Sequence, residues 1–424
     1  MSSAAGTRRC RQRPQSRREG DLRPTDIVAA FFICGIAFLL AAAAAGIVQW
    51  LSPWPWGRWL ALHLAFVGGV SQLVLGASQF FAGAFLATDP PPRPLVRAQL
   101  LCWNAGAILL AIAIPNGAGT AIWLAVVLLL GGLSAWGAAV LAMRRRSLRR
   151  SPWATRWYAS SALCLGFGVI AGSLLAHGTL WTHGNLLGAH MALNLGGWFG
   201  AAIVGTLHTF YPSLTSTQLR YPQLQPPTFT AWTGGVAALA VGYGWALTPL
   251  AVAGWLLLAA AASLLLVNLL ACLKQSPRPL SLPALLVGVA QPFLLAALLL
   301  AAIVALDQGP ASALTGSARE SFGTLLVVGW IGLTVVGSLL HLLAVVSRVR
   351  GGFTARMPIA RPRFDSGIAA VAAAGVAGLA LSQAIDLDSW ALLARIALLL
   401  AYGTLAGLVA ARAGRVLRSA RPSV

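Results

Sequence analysis

The chain has 424 residues, of which 58% are hydrophobic and only 9% are charged, and its mean hydropathy is +0.78. This composition excludes a soluble globular domain and indicates a polytopic membrane protein. The formal net charge of +21 does not indicate nucleic-acid binding, because almost all of the 30 lysines and arginines lie in the two tails and in alternate loops. The five cysteines are scattered without a Cys-x-x-Cys pair, so neither a disulfide framework nor a thiolate metal site is predicted.

The chain begins with a basic tail, residues 1–25, which contains no apolar run and is predicted to be disordered in the cytoplasm. The next run, 26–51, is too long for a signal-peptide core and leads into further apolar segments, so we expect a retained first helix. Eleven more runs follow, each near the length of about 20 residues that a bilayer requires. They cover residues 58–87, 96–114, 118–143, 157–178, 187–212, 227–245, 249–273, 281–305, 320–346, 366–383 and 389–412.

These runs predict an all-α protein with about twelve transmembrane helices in a single domain, residues 26–412, and a short cytoplasmic tail, 413–424. The basic loops 144–156 and 348–365 are expected inside the cell, and the loop 307–320 outside it, because lysine and arginine concentrate on the cytoplasmic side. An even number of helices then places both termini in the cytoplasm.

A glycine motif recurs along the chain at intervals of about 130 residues. The stretches Gly197-Trp-Phe-Gly and Val204-Gly-Thr-Leu are matched by Gly329-Trp-Ile-Gly and Val336-Gly-Ser-Leu, and a weaker copy begins at Gly68. Glycine lets helices approach closely, so we expect close helix packing at two glycines in each copy. These are Gly68, Gly76, Gly197, Gly205, Gly329 and Gly337.

A repeat of this period within twelve helices predicts three pseudo-repeated four-helix units, residues 26–143, 157–273 and 281–412. The glycine motif then falls on the second helix of each unit, which is the second, sixth and tenth helix of the chain.

The sixth predicted helix carries the clearest polar pattern. At about 100° per residue, one side of this helix carries two histidines, one asparagine and several small residues. Ionisable groups at membrane depth are costly and face other helices or a cavity rather than lipid. This side is therefore expected to meet other helices or a bound group. Its residues include His190, Asn194, Gly197, Gly205 and His208.

All nine acidic residues lie in tails, loops or helix ends, which argues against a carboxylate proton relay within the membrane. The candidate ligands inside the helices are therefore histidines. Neutral imidazole binds haem iron, copper and zinc. We predict His190 as the principal ligand, oriented by Asn194, with His63 at similar outer depth as a ligand in the same or a neighbouring compartment. His208 and His341, near the cytoplasmic ends of their helices, form the alternative site. Each of these histidines also has a simpler interpretation as an interhelical hydrogen-bonding residue.

The fold predicted here resembles the catalytic subunit of the haem–copper oxidase superfamily. The segments that support this resemblance are His63-Leu-Ala-Phe-Val-Gly68, Ser78-Gln-Phe-Phe-Ala82, His190-Met-Ala-Leu-Asn-Leu-Gly-Gly-Trp198 and Gly205-Thr-Leu-His-Thr-Phe-Tyr-Pro212. The chain is more similar to the divergent NnrS-type membrane proteins, and to the membrane portion associated with some multicopper oxidases. The resemblance implies haem b or copper as cofactor, a bacterial cytoplasmic (inner) membrane location, and respiratory or copper-oxidase partner proteins besides the lipid bilayer.

Several family positions depart from this pattern. Ala192 stands where relatives often have a second histidine on the sixth helix, and Phe80 stands where they often have another. His341 is at the wrong end of the tenth helix for the haem ligands of true oxidases, and the seventh helix has no histidine pair. Oxygen-reducing activity is therefore not expected.

Three hypotheses on function follow. The first is a non-pumping membrane protein that binds haem or copper in a redox, metal-handling or nitric-oxide-related role. The second is a twelve-helix secondary transporter, although such transporters are built from two six-helix halves and a repeat near 130 residues does not match them. The third is a non-catalytic subunit of a respiratory or copper-handling complex.

Overall fold

The computed structural model describes residues 24–147, 152–350, 361–385 and 387–418. The predicted N-terminal tail lies outside these residues apart from its last two positions. Twelve helices make up the described part of the chain. In chain order, α1 to α12 span Pro24–Leu51, Gly57–Leu86, Arg93–Ala113, Gly119–Arg145, Pro152–Ala176, Leu186–Thr215, Gln225–Gly244, Thr248–Gln275, Leu282–Gln308, Gly316–Arg350, Pro362–Ala384 and Asp388–Arg418.

Eleven of these twelve helices are long and apolar enough to cross a membrane. The exception in the described chain is α7, whose first turn, Gln225-Pro-Pro-Thr228, is polar. The protein is thus a helical, multi-pass membrane protein. Two boundaries differ from expectation: the predicted outer loop 307–320 is shortened because α10 begins at Gly316, and α12 continues through the predicted C-terminal tail as far as Arg418.

Helix–helix contacts recur along the chain with the same pattern. In each predicted unit the first helix packs on the second, the third packs on the fourth, and the second also touches the third and fourth. The second helix of each unit contacts the first helix of the next, and α10 contacts α1 in the same way. The Arg350–Asp26 ion pair, 2.7 Å long, joins α10 to α1 at one end of that last contact. The three helices with the glycine motif, α2, α6 and α10, therefore occupy equivalent positions in the contact network.

The six motif glycines all contact the first helix of their own unit, and Gly329 also contacts Val376 of α11. A Cβ atom added at Gly68 or Gly76 would overlap a phenylalanine of α1, and one at Gly197 or Gly205 would overlap Cys164 or Trp157 of α5. On α10, a Cβ atom at Gly329 would lie 2.9 Å from Phe293 Cγ, and one at Gly337 would lie 3.0 Å from Val287 Cγ2, both on α9. Only a residue without a side chain lets these pairs of helices approach so closely.

The same three helices share a departure from α-helical geometry that the sequence analysis did not predict. Residues 64–70 of α2, 192–200 of α6 and 324–332 of α10 are π-helical. A π-helical segment uses i→i+5 hydrogen bonds; such segments are rare and are frequently found at functional sites. A π-helical turn contains more residues than an α-helical turn, so successive residues are rotated by less than 100°. The angular positions predicted for α6 at 100° per residue therefore do not hold across residues 192–200.

Each π-helical segment has one carbonyl that accepts a hydrogen bond from an aromatic side chain of another helix. Val67 O accepts from Trp103 Nε1 at 2.9 Å, and Gly196 O accepts from Trp232 Nε1 at 2.9 Å. In α10 the equivalent acceptor, Val328 O, is bound by the Tyr402 hydroxyl at 2.5 Å. Each of these carbonyls belongs to the residue directly before the first motif glycine. Backbone groups that leave the α-helical pattern inside an apolar protein need such partners.

Candidate functional site

His63 and His190 lie at the same depth in the protein. A hydrogen bond of 2.9 Å from Trp198 Nε1 to Ser71 Oγ joins α6 to α2. His190 precedes Trp198 by eight residues on α6, and His63 precedes Ser71 by eight residues on α2, so both histidines lie toward the same end of the protein. We call that end the outer end, since the charge pattern predicts that it faces away from the cytoplasm.

The His190 ring is held in one orientation by backbone and side-chain groups. Its Nδ1 lies 2.9 Å from Gly168 O, and because a carbonyl only accepts, Nδ1 donates and Nε2 keeps its lone pair. Asn194 Nδ2 donates to His190 O at 2.8 Å and lies 3.3 Å from His190 Nδ1. Asn194 therefore lies against His190, four residues further along the helix.

His63 has the same hydrogen-bonding arrangement. Its Nδ1 donates to Trp59 O at 2.9 Å, and its ring stacks on the Trp59 ring with centroids 4.2 Å apart. Both imidazoles therefore lie at the outer end of the protein, each with Nε2 left as an acceptor.

Two glycines of α5 form a cradle for the polar side chains of α6. A Cβ atom at Gly172 would lie 2.8 Å from His190 Cε1, and one at Gly168 would lie 2.7 Å from Asn194 Oδ1. Further along the same antiparallel contact, Gly197 meets Cys164 and Gly205 meets Trp157. The polar and small side of α6 therefore packs along α5. Gly168 and Gly172 were not among the predicted contact glycines, although a four-residue spacing of small residues is a known signal of helix contact.

Inward of the histidines, the region between α2, α3, α4, α5 and α6 is polar, and we call it the first interior. Ser78 Oγ accepts from Trp136 Nε1 at 3.0 Å, and Gln79 Nε2 donates to Gln99 Oε1 at 3.0 Å. Gln72 is fully buried, and neither of its amide atoms has a hydrogen-bond partner among the described residues. Gln79 Oε1 and Gln99 Nε2 are likewise buried without a partner. Each such atom costs about 1–3 kcal/mol, so the first interior has unused capacity to bind a polar group.

The second interior, between α6, α7, α8, α9 and α10, is aromatic and apolar. It encloses a cavity of about 30 Å³. Its polar atoms have partners: Trp330 Nε1 donates to Gln291 Oε1 at 3.0 Å, and Trp255 Nε1 donates to the Tyr243 hydroxyl at 3.2 Å. Neither His63 nor His190 lines this cavity. The side chains that line it include Met191, Trp232, Tyr243, Trp255, Phe322 and Trp330.

The two inner histidines contact different aromatic residues. His208 is 1% exposed; its Nδ1 donates to Val204 O at 2.8 Å, and its ring lies against Trp157 of α5 with centroids 6.0 Å apart. Its Nε2 is buried and has no hydrogen-bond partner in the described chain. His341 of α10 instead contacts Phe210 edge-on, at 5.6 Å between ring centroids. His208 thus shares the Nδ1-to-carbonyl arrangement of His63 and His190, whereas His341 is placed by its contact with Phe210.

The described residues contain no metal site with three or more protein ligands. Nowhere in residues 24–147, 152–350, 361–385 and 387–418 do three His, Cys, Asp or Glu side chains come together in a group that could hold a metal ion. What His63 and His190 do offer is imidazole nitrogen, the donor type that haem iron and copper accept.

Comparison with known proteins leaves the family undetermined. No protein-family model matches the chain, and no curated protein matches it. The fold and the sequence therefore define only the class of protein: a helical integral membrane protein that crosses the bilayer many times.

Proposed function

We propose that this membrane protein holds a histidine-ligated redox centre, either haem b or a copper ion, between His63 and His190 at its outer end. The observation that supports this most directly is the shared geometry of the two rings. Each donates Nδ1–H to a backbone carbonyl, which orients the ring and leaves Nε2 as the ligand atom, as is usual for metal-bound histidine. When bound, such a centre would supply a one-electron redox couple.

The protein's own residues would orient and shield this centre. Gly168 O and Trp59 O select the tautomer of the two rings, Asn194 supports His190, and Gly172 leaves room for the His190 ring. The absence of acidic residues from the middle of the predicted helices supports a non-pumping role. An oxygen-reducing centre is not part of the proposal, because Ala192 and Phe80 stand at further ligand positions of the family that the sequence resembles.

We further propose that the three four-helix units are arranged around a pseudo-threefold axis, as in the catalytic subunit of haem–copper oxidases. The threefold recurrence of helix contacts and of π-helical segments supports this arrangement. The proposed location is a bacterial inner membrane with both termini in the cytoplasm. Reporter fusions after Val424 and between Gln308 and Gly316 should give opposite signals; identical signals would contradict the orientation.

The ligand proposal is tested by the visible spectrum and metal content of the purified protein. We expect a Soret band if haem is bound, or about one copper per chain if copper is bound, by the histidine preferences of these ions. His190→Ala should abolish this signal and His63→Ala should abolish or shift it. His341→Ala is the matched control, a histidine on a motif helix at the other end of the protein, and should leave the signal unchanged. A wild-type protein without haem or metal would refute the proposal, and loss of the signal only in His341→Ala would move the site to the inner end.

Substitution of the glycine cradle gives a finer test. Gly172→Ala places a methyl group 2.8 Å from His190 Cε1, so the ring must shift and occupancy of the centre should fall severalfold. Gly166→Ala, on the same helix, would place its Cβ no closer than 4.0 Å to a neighbour, at Leu133 Cδ2, and should leave occupancy unchanged. Equal occupancy in both variants would show that His190 does not bind through this orientation.

A further inference from the structure

A further cavity lies where α2, α6 and α10 meet, in the inner half of the protein, and it adjoins the first interior at Ser78. We call it the central chamber. It has a volume of about 80 Å³, and α1 and α5 also contribute to its wall. Most of its lining is apolar, with a few polar groups from different helices, which is the usual composition of a small-molecule site.

Five hydroxyl groups line the central chamber. The Tyr158 hydroxyl and Thr206 Oγ1 are 3.1 Å apart and share one hydrogen bond, so at least one further acceptor position on each stays available. Thr334 Oγ1 accepts from Gln291 Nε2 at 3.3 Å, and Ser78 Oγ accepts from Trp136 Nε1. The Ser338 hydroxyl has no hydrogen-bond partner among the described residues, so both its donor and its acceptor capacity are free. Hydroxyls of four helices, α2, α5, α6 and α10, therefore converge on one small space.

The lining also restricts the charge and size of a ligand. It includes no Asp, Glu, Lys, Arg or His among the described residues, and an ion without a counter-charge is costly to bury. Phe81 and Phe210, whose rings meet edge-on at 5.3 Å, supply an apolar wall. A cavity that accepts benzene has a volume of about 150 Å³, so a chamber roughly half that size accommodates a molecule of only a few heavy atoms.

We propose that the central chamber binds a small uncharged alcohol. The alcohol hydroxyl would exchange hydrogen bonds with Ser338 and with the Tyr158–Thr206 pair, while its short apolar part would lie against Phe81 and Phe210. A neutral molecule of this size enters an apolar membrane environment at far lower cost than an ion does. This site is separate from His63 and His190 and does not depend on a bound metal.

The proposal is tested by ¹⁹F NMR with three probes that share a trifluoromethyl group. Trifluoroethanol carries a hydroxyl, 1,1,1-trifluoroethane carries none, and trifluoroacetate carries a charge. Titrations use the full-length protein in detergent, with empty micelles subtracted to remove partitioning. We expect saturable binding of trifluoroethanol, at least fivefold weaker binding of trifluoroethane, and no binding of trifluoroacetate. Absence of saturable trifluoroethanol binding, or equal binding of all three probes, would overturn the proposal.

Variants then locate the site. Thr206→Val keeps the shape of the side chain and removes its hydroxyl, so trifluoroethanol should bind at least fivefold more weakly. Ser338→Ala provides a second variant on another helix with the same expectation. Thr209→Val is the control, because Thr209 is exposed on the same helix and its hydroxyl donates within that helix to Thr206 O. Unchanged binding in both Thr206→Val and Ser338→Ala, or equal weakening in Thr209→Val, would also overturn the proposal. The visible spectrum of these variants should match that of the wild type, which separates this result from the test of the histidine site.

Discussion

The first and second interiors occupy corresponding places between successive four-helix units, yet their chemistry differs. At the outer end of the first interior, His63 and His190 keep Nε2 as an acceptor, and within it the buried amide of Gln72 has no partner in the described chain. In the second, indole and phenol groups fill the space, and Trp330 and Trp255 both donate to partners. The same backbone plan therefore supports one region with spare polar capacity and one that is closed by packing, which locates the candidate site in the first.

The largest expected effect comes from the helix contacts that both interiors share. Gly205→Leu would force a side chain into Trp157, at the wall of the first interior, and Gly337→Leu would press on Val287, at the wall of the second. Overpacking costs about 1–3 kcal/mol or more, and here two helices would have to separate. We expect both variants to lose most of their folded protein, measured as monodisperse material in size-exclusion chromatography.

The control for these variants is Gly131→Leu, because a Cβ atom there meets nothing within 4 Å. Its yield should match that of the wild type. Normal folding of both Gly205→Leu and Gly337→Leu would show that the repeated glycines do not set the helix spacing on either side.

The second prediction concerns the aromatic groups that bind the π-helical carbonyls. Trp103→Phe leaves Val67 O without its partner in the first unit, and Trp232→Phe does the same to Gly196 O in the second. An unpaired buried carbonyl costs about 1–3 kcal/mol, so both variants should unfold at lower temperature in detergent. Trp50→Phe, at a residue that is 81% exposed, should have no effect. Destabilisation of only one of the two interior variants would show that these bonds are not equivalent.

The smallest expected effects come from two buried glutamines, one whose amide is hydrogen-bonded and one whose amide has no partner among the described residues. Gln291→Met removes the partners of Trp330 Nε1 and Thr334 Oγ1 and should cost about 1–3 kcal/mol in thermal unfolding. Gln72→Met has nearly the same shape but removes an amide with no partner among the described residues, so it should be neutral or slightly stabilising. A loss of stability in Gln72→Met as large as in Gln291→Met would indicate that a bound polar group already satisfies Gln72 in the protein.

Local properties of the chain account for the features that were predictable. The apolar runs indicated the membrane helices because bilayer thickness sets their length, and the helix positions observed differ from the predicted ones by only a few residues at most ends. The repeat of Gly197 at Gly329 indicated which helices hold equivalent places, because a missing side chain permits close approach wherever it occurs. Asn194 beside His190 followed from their one-turn spacing.

Only the tertiary structure decided how the candidate site is assembled. The π-helical segments on α2, α6 and α10 rotate side chains away from the positions of an α-helical wheel, and they are stabilised by donors as distant in sequence as Tyr402. The tautomer of His190 depends on a carbonyl of α5, and the proximity of His63 depends on how α2 packs against α6. Hydropathy and residue spacing report what a segment is, whereas the partner of each polar atom depends on which helices become neighbours, and that is set by packing across the whole molecule.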